Sequence, residues 1–351
     1  MRIKLLSLSF IFLTVAPVAA QELRVSLRSE NGPLPYAYLY LNGRAAAVTD
    51  TLGVARLETG RWHTGDTLTV SYAGMTPESR VIDAETARQG HCTLVLQEVY
   101  TALTTDRVVV RGDVERFFRR AVREHSGCVD GCWGEAQLQG EVSMSYSSAQ
   151  NGLRDSISGR ITTHRNEVSP RNYLDHDYRL TIDREDSAGQ SEPSAELLRE
   201  LNRMLWVSIG PIFQLQEHKI FGDHRRKLSY LGQKEGLRIF RAVFPQVAIG
   251  NDSIYLQIVA YVDEATKLPQ AIEAEYLRKD LKYSVRVRAE YTPYRLNAGW
   301  YAGRICLTPA SIDYRMVLED TEVNGRFRDG RFLSPTSTRK RSREEPLYVP
   351  L

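Results

Sequence analysis

Apolar and polar residues alternate along most of the chain in short runs, and turn-forming residues separate these runs. This pattern is typical of β-strands that bury one face. In the first hundred residues, Leu23, Val25 and Leu27 form the apolar face of a first strand, which ends at an Asn-Gly turn. Further strands are predicted at 36–41, 54–57, 67–72, 78–82 and 93–96. The segments between them leave no room for crossover helices, so this part is predicted to be an antiparallel Ig-like or transthyretin-like β-sandwich.

Alternation returns after residue 134 and continues to about residue 328. It predicts strands at 141–146, 156–163, 177–182, 236–244, 254–262, 270–276, 283–291 and 314–318. One helix interrupts them near 194–206, where Leu197, Leu201 and Leu205 share a helical face. A stripe of this kind is more typical of core packing than of a ligand groove. The second part is therefore predicted to be a curved antiparallel sheet with one packed helix, and the chain as a whole to be mainly β.

A segment with helical spacing separates the two β regions. Asp113 is a suitable N-cap, and Val114, Phe117 and Ala121 recur at helical intervals before Gly127. The predicted organisation is a signal peptide at 1–20, the sandwich at 21–111, a helical connector at 112–133, the antiparallel β domain at 134–333 and a tail at 334–351. Because the tail is basic at 339–343 and lacks a hydrophobic period, we expect it to be disordered.

The N-terminus has the three parts of a secretory signal. Arg2 and Lys4 precede an apolar core at 5–15, and small residues lead to a cleavage site between Ala20 and Gln21. The core is shorter than the roughly 20 residues that a membrane helix needs, and no later stretch is apolar enough to span a bilayer. Removing the signal leaves 44 basic residues (46 minus 2) against 43 acidic ones. A net charge of +1 does not favour a nucleic-acid-binding protein.

Three motifs at fixed spacing lie within the predicted sandwich. They are Leu34-Pro35-x-Ala37, then Val48-Thr49-Asp50-x-x-Gly53-x-x-x-Leu57, then Gly65-Asp66-x-Leu68-x-Val70-Ser71-Tyr72-x-Gly74. Over about 75 residues this run resembles the carboxypeptidase-regulatory-like domain, a small sandwich found on exported bacterial proteins. In the resemblance, Thr49, Asp50 and Gly53 form a signature turn, and Met75 replaces the usual aromatic residue after Gly74. The resemblance implies an accessory module without catalytic residues of its own.

A shorter motif in the second domain indicates the shape of its sheet. The pattern Asp263-x-x-Thr266-x-Leu268-Pro269 separates two long predicted strands. It resembles an edge of lipoprotein-carrier-like half-barrels, in which a curved antiparallel sheet wraps around a helix.

The cysteines suggest one local disulfide. Cys128 and Cys132 enclose three residues, and an oxidising compartment would permit the bond. With Cys92 and Cys306, three complete pairings are possible. Free thiols and a zinc site that includes His125 are the alternatives, but the zinc site lacks further ligands at short spacing. A disulfide between Cys128 and Cys132 is therefore the prediction.

Catalytic and metal-binding patterns are absent from the sequence. It contains no G-x-S-x-G elbow, H-E-x-x-H helix, Walker loop or glycine-rich dinucleotide fingerprint. We therefore predict no catalytic residue, metal or cofactor. The densest polar cluster of the second domain consists of His218, His224, Arg225 and Arg226. It could contact a phosphate, a carboxylate or an acidic glycan, or form the charged tip of a hairpin, which is the commoner situation for a polar loop.

Together these features favour a non-catalytic binding or assembly protein of a Gram-negative cell envelope, in the periplasm or at the outer-membrane surface. Its partner would be an envelope protein, a glycan or a lipid held by the second domain. Two alternatives stay open, namely an envelope hydrolase with a site assembled from distant residues and a structural component of an outer-membrane complex. A deep apolar cavity would indicate a carrier, whereas clustered carboxylates or histidines would indicate an enzyme.

Overall fold

The structure is a computed structural model. It describes residues 22–99, 137–165, 180–184, 192–208, 228–249, 252–296, 305–333 and 348–350. Four sets of predictions lie outside these residues: the signal peptide, the helical connector, the Cys128–Cys132 disulfide, and the cluster of His218, His224, Arg225 and Arg226.

The first part of the chain is a sandwich of two four-stranded sheets. Its elements are β1 (Leu23–Ser29), β2 (Gly32–Pro33), β3 (Tyr38–Leu41), β4 (Arg44–Val48), β5 (Val54–Leu57), β6 (Thr67–Ser71), β7 (Glu78–Val81), α1 (Ala84–Gln89) and β8 (His91–Val95). In one sheet, β1 pairs with β2, β5 and β8. The other sheet has the order β4-β3-β6-β7. Apolar side chains of both sheets form one buried core. The predicted sandwich is confirmed.

Helix α1 and strand β8 correct the prediction of a sandwich without crossover helices. The Asp83 side chain accepts a hydrogen bond of 2.7 Å from the Thr86 amide, and Gly90 ends the helix in the left-handed conformation. The helix carries the chain across the sandwich, so β8 pairs with β1 in parallel. At six residues the helix is too short to show an apolar period. Its two caps were the available signals in the sequence.

The second part is dominated by one large antiparallel sheet. Its strands are β9 (Gln137–Ser148), β10 (Arg154–Arg165), β11 (Leu180–Arg184), β12 (Leu228–Lys234), β13 (Leu237–Ile249), β14 (Asp252–Asp263), β15 (Pro269–Arg278), β16 (Tyr283–Leu296), β17 (Ile305–Leu318), β18 (Thr321–Leu333) and β19 (Tyr348–Pro350). The order is β11-β10-β9-β18-β17-β16-β15-β14-β13-β12, and β19 pairs with β16. The antiparallel domain is thus confirmed. Strand β19 corrects the expectation of a disordered tail for its three residues.

The predicted helix is α2 (Ala195–Val207), and it packs on the inner face of this sheet. Leu197, Leu201, Met204 and Leu205 are fully buried against apolar side chains of the strands. Shortening one of these leucines to alanine typically costs about 2–5 kcal/mol. The prediction of core packing is therefore confirmed. The described residues fill the place where a carrier would have a deep apolar cavity.

A glycine in β18 lets the helix approach the sheet closely. A Cβ atom on Gly325 would lie 2.7 Å from the Met204 sulfur and 2.7 Å from the Met144 methyl group, closer than van der Waals contact allows. Gly325 takes an inward position between Val323 and Phe327, both fully buried. The missing side chain interrupts the apolar alternation, which explains why β18 was not predicted from the sequence.

No helix among the described residues is long and apolar enough to cross a membrane.

Candidate functional site

The sandwich rests on the outer face of the large sheet through a buried polar network around Glu275 of β15. The Glu275 carboxylate accepts hydrogen bonds from the Tyr40 hydroxyl, from Ser71 Oγ at 2.7 Å and from Arg286 Nε at 2.6 Å. The Arg286 guanidinium also lies 4.6 Å from the centre of the Tyr40 ring. Glu275 is only 8% exposed, so its charge is compensated inside the interface. Two sandwich strands and two sheet strands share this one carboxylate.

Burial and charge shift the ionisation of these groups in consistent directions. Burial, followed by the nearby Glu275 charge, raises the pKa of Tyr40 well above its ordinary value. The same causes raise the pKa of Tyr38 beside it. Burial lowers the pKa of Arg286, but electrostatic interaction and hydrogen bonding with Glu275 and Tyr40 together outweigh this, and the net pKa is raised. At neutral pH the network therefore contains neutral phenols and a fixed ion pair.

A second set of contacts uses the backbone of the sandwich at 72–74. Gln257 of β14 accepts a hydrogen bond of 2.6 Å from the Ala73 amide and donates one of 2.7 Å to the Tyr36 carbonyl. Gly74, at φ +76°, sits where a Cβ atom would lie 2.5 Å from the Leu231 side chain of β12. The motif glycine thus permits close contact between the two domains.

A groove of about 1080 Å³ opens beside this interface. The sandwich forms one wall through residues 71–75, Pro77 and Val99, and the outer face of the large sheet forms the floor. Because side chains alternate between the faces of a sheet, the outer positions of successive strands meet in rows. The floor therefore brings together residues that are far apart in the sequence.

Strand register defines two neighbouring rows. One row crosses from β10 to β15 and consists of Ser158, Ser143, Arg326, Asp313, Arg288 and Glu273. The other runs beside it and consists of Ser156, Ser145, Asn324, Arg315, Arg286 and Glu275. All twelve residues line the groove. The end of each row on β15 lies beside the sandwich, and the serine ends are exposed to solvent.

The carboxylates of the groove are already paired. Glu273 accepts from Arg288 at 2.9 Å and from the Tyr261 hydroxyl at 3.0 Å. Asp313 accepts from Arg328 at 2.5 Å, and Glu275 belongs to the buried network. Each of these carboxylates therefore neutralises an arginine.

The three signature-turn residues predicted from the sequence support the sandwich. Buried Thr49 accepts from the Ala37 amide at 2.8 Å and donates to the Leu34 carbonyl at 2.7 Å. Asp50 accepts from two amides of its own turn. Gly53, at φ +73°, leaves no space for a Cβ atom, which would lie 2.6 Å from the Leu27 carbonyl oxygen. None of the three lines the groove.

Two further groups are buried away from the groove. Glu200 of α2 pairs with Arg203 at 2.7 Å beneath the helix, and burial raises the pKa of its carboxyl. Cys92 is a buried free thiol whose pKa burial also raises. The described residues contain no group of three or more His, Cys, Asp or Glu side chains placed to hold a metal ion.

The groove residues were missed in the sequence although most of them lie in predicted strands. Arg286, Arg288 and Glu290 alternate with buried residues of β16, which identifies them as an outer face. Their neighbours come from β17, β18, β9 and β10 through register, and β18 was not predicted at all. A polar outer face also looks the same in a sequence whether it is solvated or forms a site.

Comparison with known proteins gives similarity to solved structures alone. No family model and no curated protein matches the chain. It is similar to a domain from Vibrio parahaemolyticus described as a candidate outer membrane lipoprotein-sorting protein domain, at 12% identity and a TM-score of 0.23, over 63% of this chain and 94% of that one. It is also similar to a DUF1329 family protein from Desulfovibrio piger, at 14% identity and a TM-score of 0.24, over 64% and 95%.

A protein from Bacteroides fragilis described as a candidate membrane-associated protein of unknown function aligns over 90% of this chain and 98% of its own, at 7% identity and a TM-score of 0.16. TM-scores of this size do not establish a shared fold.

Proposed function

We propose that this is a non-catalytic binding protein of the bacterial cell envelope, and that its ligand occupies the groove between the sandwich and the outer face of the large sheet. One observation carries the proposal: the groove joins two polar rows, exposed at their serine ends, to a wall supplied by another domain. A concave site at a domain interface is a common place for a ligand. The predicted signal peptide supports export.

The interface gives the groove a fixed shape. Tyr40, Ser71 and Arg286 converge on Glu275, and Gln257 bonds the sandwich backbone on both sides. Binding to a wall that is already in place avoids the entropy cost of ordering it. In this proposal the sandwich is an accessory module of the carboxypeptidase-regulatory-like kind, and its role is to complete the site.

The groove suits binding better than catalysis. Its floor consists mainly of serine, asparagine and arginine side chains, and its carboxylates are held by arginines. A general acid or base needs a titratable group within reach of a substrate and with a pKa suited to proton exchange. Polar donors without such a group favour recognition.

A matched pair of substitutions tests this function. Ser145 and Ser147 are exposed on the same face of β9, and Ser145 lines the groove whereas Ser147 does not. The chain without residues 1–20 is used to capture molecules from envelope extracts, which are then identified by mass spectrometry. We expect the wild type and Ser147→Trp to retain the same ligand and Ser145→Trp to lose it. Equal retention by all three proteins would show that the groove is not the site.

A further inference from the structure

The groove has more hydrogen-bond donors than acceptors. Arg286 uses Nε for Glu275, and Arg315 uses Nε and Nη2 for a single oxygen of Glu322. A guanidinium carries five N–H groups, so both arginines retain donors. Their side chains are 38% and 44% exposed, which leaves those donors accessible to a ligand.

Arg326 adds a cation that is loosely held. Its Nε lies 3.8 Å from Asp313, beyond hydrogen-bonding distance, while Asp313 accepts from Arg328 at 2.5 Å. The Arg326 side chain is 76% exposed. It stands on β18 one row from Arg315 of β17, because Arg315 pairs with Asn324 in the register.

The register also places like charges opposite each other. Arg286 of β16 and Arg315 of β17 are direct cross-strand partners. Like charges in directly opposite positions are destabilising. Glu275 and Glu322 each compensate one of these two charges. An anion bound between the guanidinium groups would add further compensation, since guanidinium groups form strong paired hydrogen bonds with carboxylate or phosphate.

The outer positions of the floor beside these arginines are hydroxylated. The large apolar residues that also line the groove either belong to the buried core of the large sheet, namely Met144, Ile157, Val287 and Tyr314, or lie on the sandwich side, namely Tyr72, Met75, Val99 and Val259. Ser143, Ser145, Ser156 and Ser158 can both donate and accept, as Asn324 can through its amide. A peptide ligand would usually require apolar pockets for anchoring side chains. A ligand with many hydroxyl groups and a few acidic groups matches this surface better.

We propose that the groove binds an acidic oligosaccharide, with its carboxylate groups at Arg286, Arg315 and Arg326 and its hydroxyl groups on the serine floor. This proposal rests on the proposed function and specifies the class of ligand. It names glycan carboxylates as the source of negative charge, so an anionic lipid surface becomes an outcome of the test.

The test compares hexagalacturonate with its methyl ester, which keeps the hydroxyl groups and loses the charges. Binding is measured by isothermal titration calorimetry to the wild type and to two double variants. Arg315→Gln with Arg326→Gln removes two groove cations. Arg56→Gln with Arg160→Gln removes two exposed arginines outside the groove, each also paired with a glutamate, so the change in net charge is equal.

We expect the acid to bind the wild type and the control variant about equally. The groove variant should bind it at least about tenfold more weakly, which corresponds to about 1.4 kcal/mol, because two cationic donors to the carboxylates are removed. The ester should bind the wild type similarly weakly. Circular dichroism of each variant checks that it is folded.

The proposal is overturned if the acid does not bind the wild type, if the two double variants lose affinity equally, or if the chain binds phosphatidylglycerol vesicles but not the oligosaccharide. Equal binding of acid and ester, with loss in Ser145→Trp, would reject the acidic class and leave the groove as the binding site. The failure of this inference is thereby distinguished from failure of the proposed function.

Discussion

Replacing Glu275 with alanine removes the carboxylate through which the sandwich and the large sheet are held together. The buried donors Tyr40 and Ser71 would lose their acceptor, and Arg286 would lose its buried partner. The substitution leaves the apolar cores of both domains untouched. The change in free energy of unfolding therefore reports mainly on the interface.

The magnitude follows from the exposure of each donor. The Tyr40 and Ser71 residues are 4% and 8% exposed, and a buried donor left without a partner costs about 1–3 kcal/mol. Arg286 reaches solvent, so its loss resembles that of an exposed ion pair, about 1 kcal/mol or less. The total expected loss is about 2–7 kcal/mol. Water entering the space left by the side chain would bring the value towards the lower end.

Urea unfolding, followed by tryptophan fluorescence and circular dichroism, measures this loss. Glu290→Ala is the control, because Glu290 pairs with Arg288 on the same outer face and is half exposed. It should change the free energy of unfolding by less than about 1 kcal/mol. A double-mutant cycle of Glu275→Ala with Tyr40→Phe should show a coupling of at least about 1 kcal/mol. A loss for Glu275→Ala no larger than that of the control would refute the reasoning.

Three further predictions concern other contacts. Gly74→Ala should destabilise the protein more than Gly60→Ala in urea unfolding, because both glycines have positive φ but only at Gly74 would the new Cβ meet the neighbouring domain. Glu200→Ala should cost about 3 kcal/mol, whereas Glu200→Leu combined with Arg203→Met should stay within about 1 kcal/mol of the wild type, because the double variant leaves no unpaired buried charge. Burial raises the pKa of Tyr283 to about 12. The stability that this neutral phenol contributes is therefore complete below about pH 10 and is lost as the pH rises towards 12. In an ultraviolet titration, Tyr283→Phe should lack one phenol that ionises late in the wild type.

The fold was largely predictable because, in most elements, the regularly spaced apolar residues of the sequence are also the residues that are buried. In β16 the apolar positions face the core and the charged positions face outward, so its strand character was evident. Helix α2 was evident for the same reason, through a fully buried stripe. Helix α1 was missed because it has only six residues. Strand β18 was missed because it has a glycine, Gly325, at a core position.

The candidate site was not predictable, because it depends on pairing between distant strands. Arg286 and Arg315 are neighbours only through the register of β16 with β17. Glu275 gave no sign of burial, since it alternates with apolar residues in the same way as the exposed glutamates nearby. The position of the sandwich distinguishes the buried Glu275 from the exposed serine end of the same row.

Arg286 links the two roles of the outer face. Its Nε belongs to the buried network with Glu275, whereas the rest of its guanidinium lines the groove beside Arg315. An anion bound there would share Arg286 with Glu275. Ligand binding and attachment of the sandwich would then both involve the Arg286 guanidinium. Since a guanidinium can serve two acceptors through different N–H groups, the two interactions are compatible. Loss of the interface would remove a wall of the groove and the Tyr40 ring beside the guanidinium, whereas Glu275 of the same sheet would still bind Arg286.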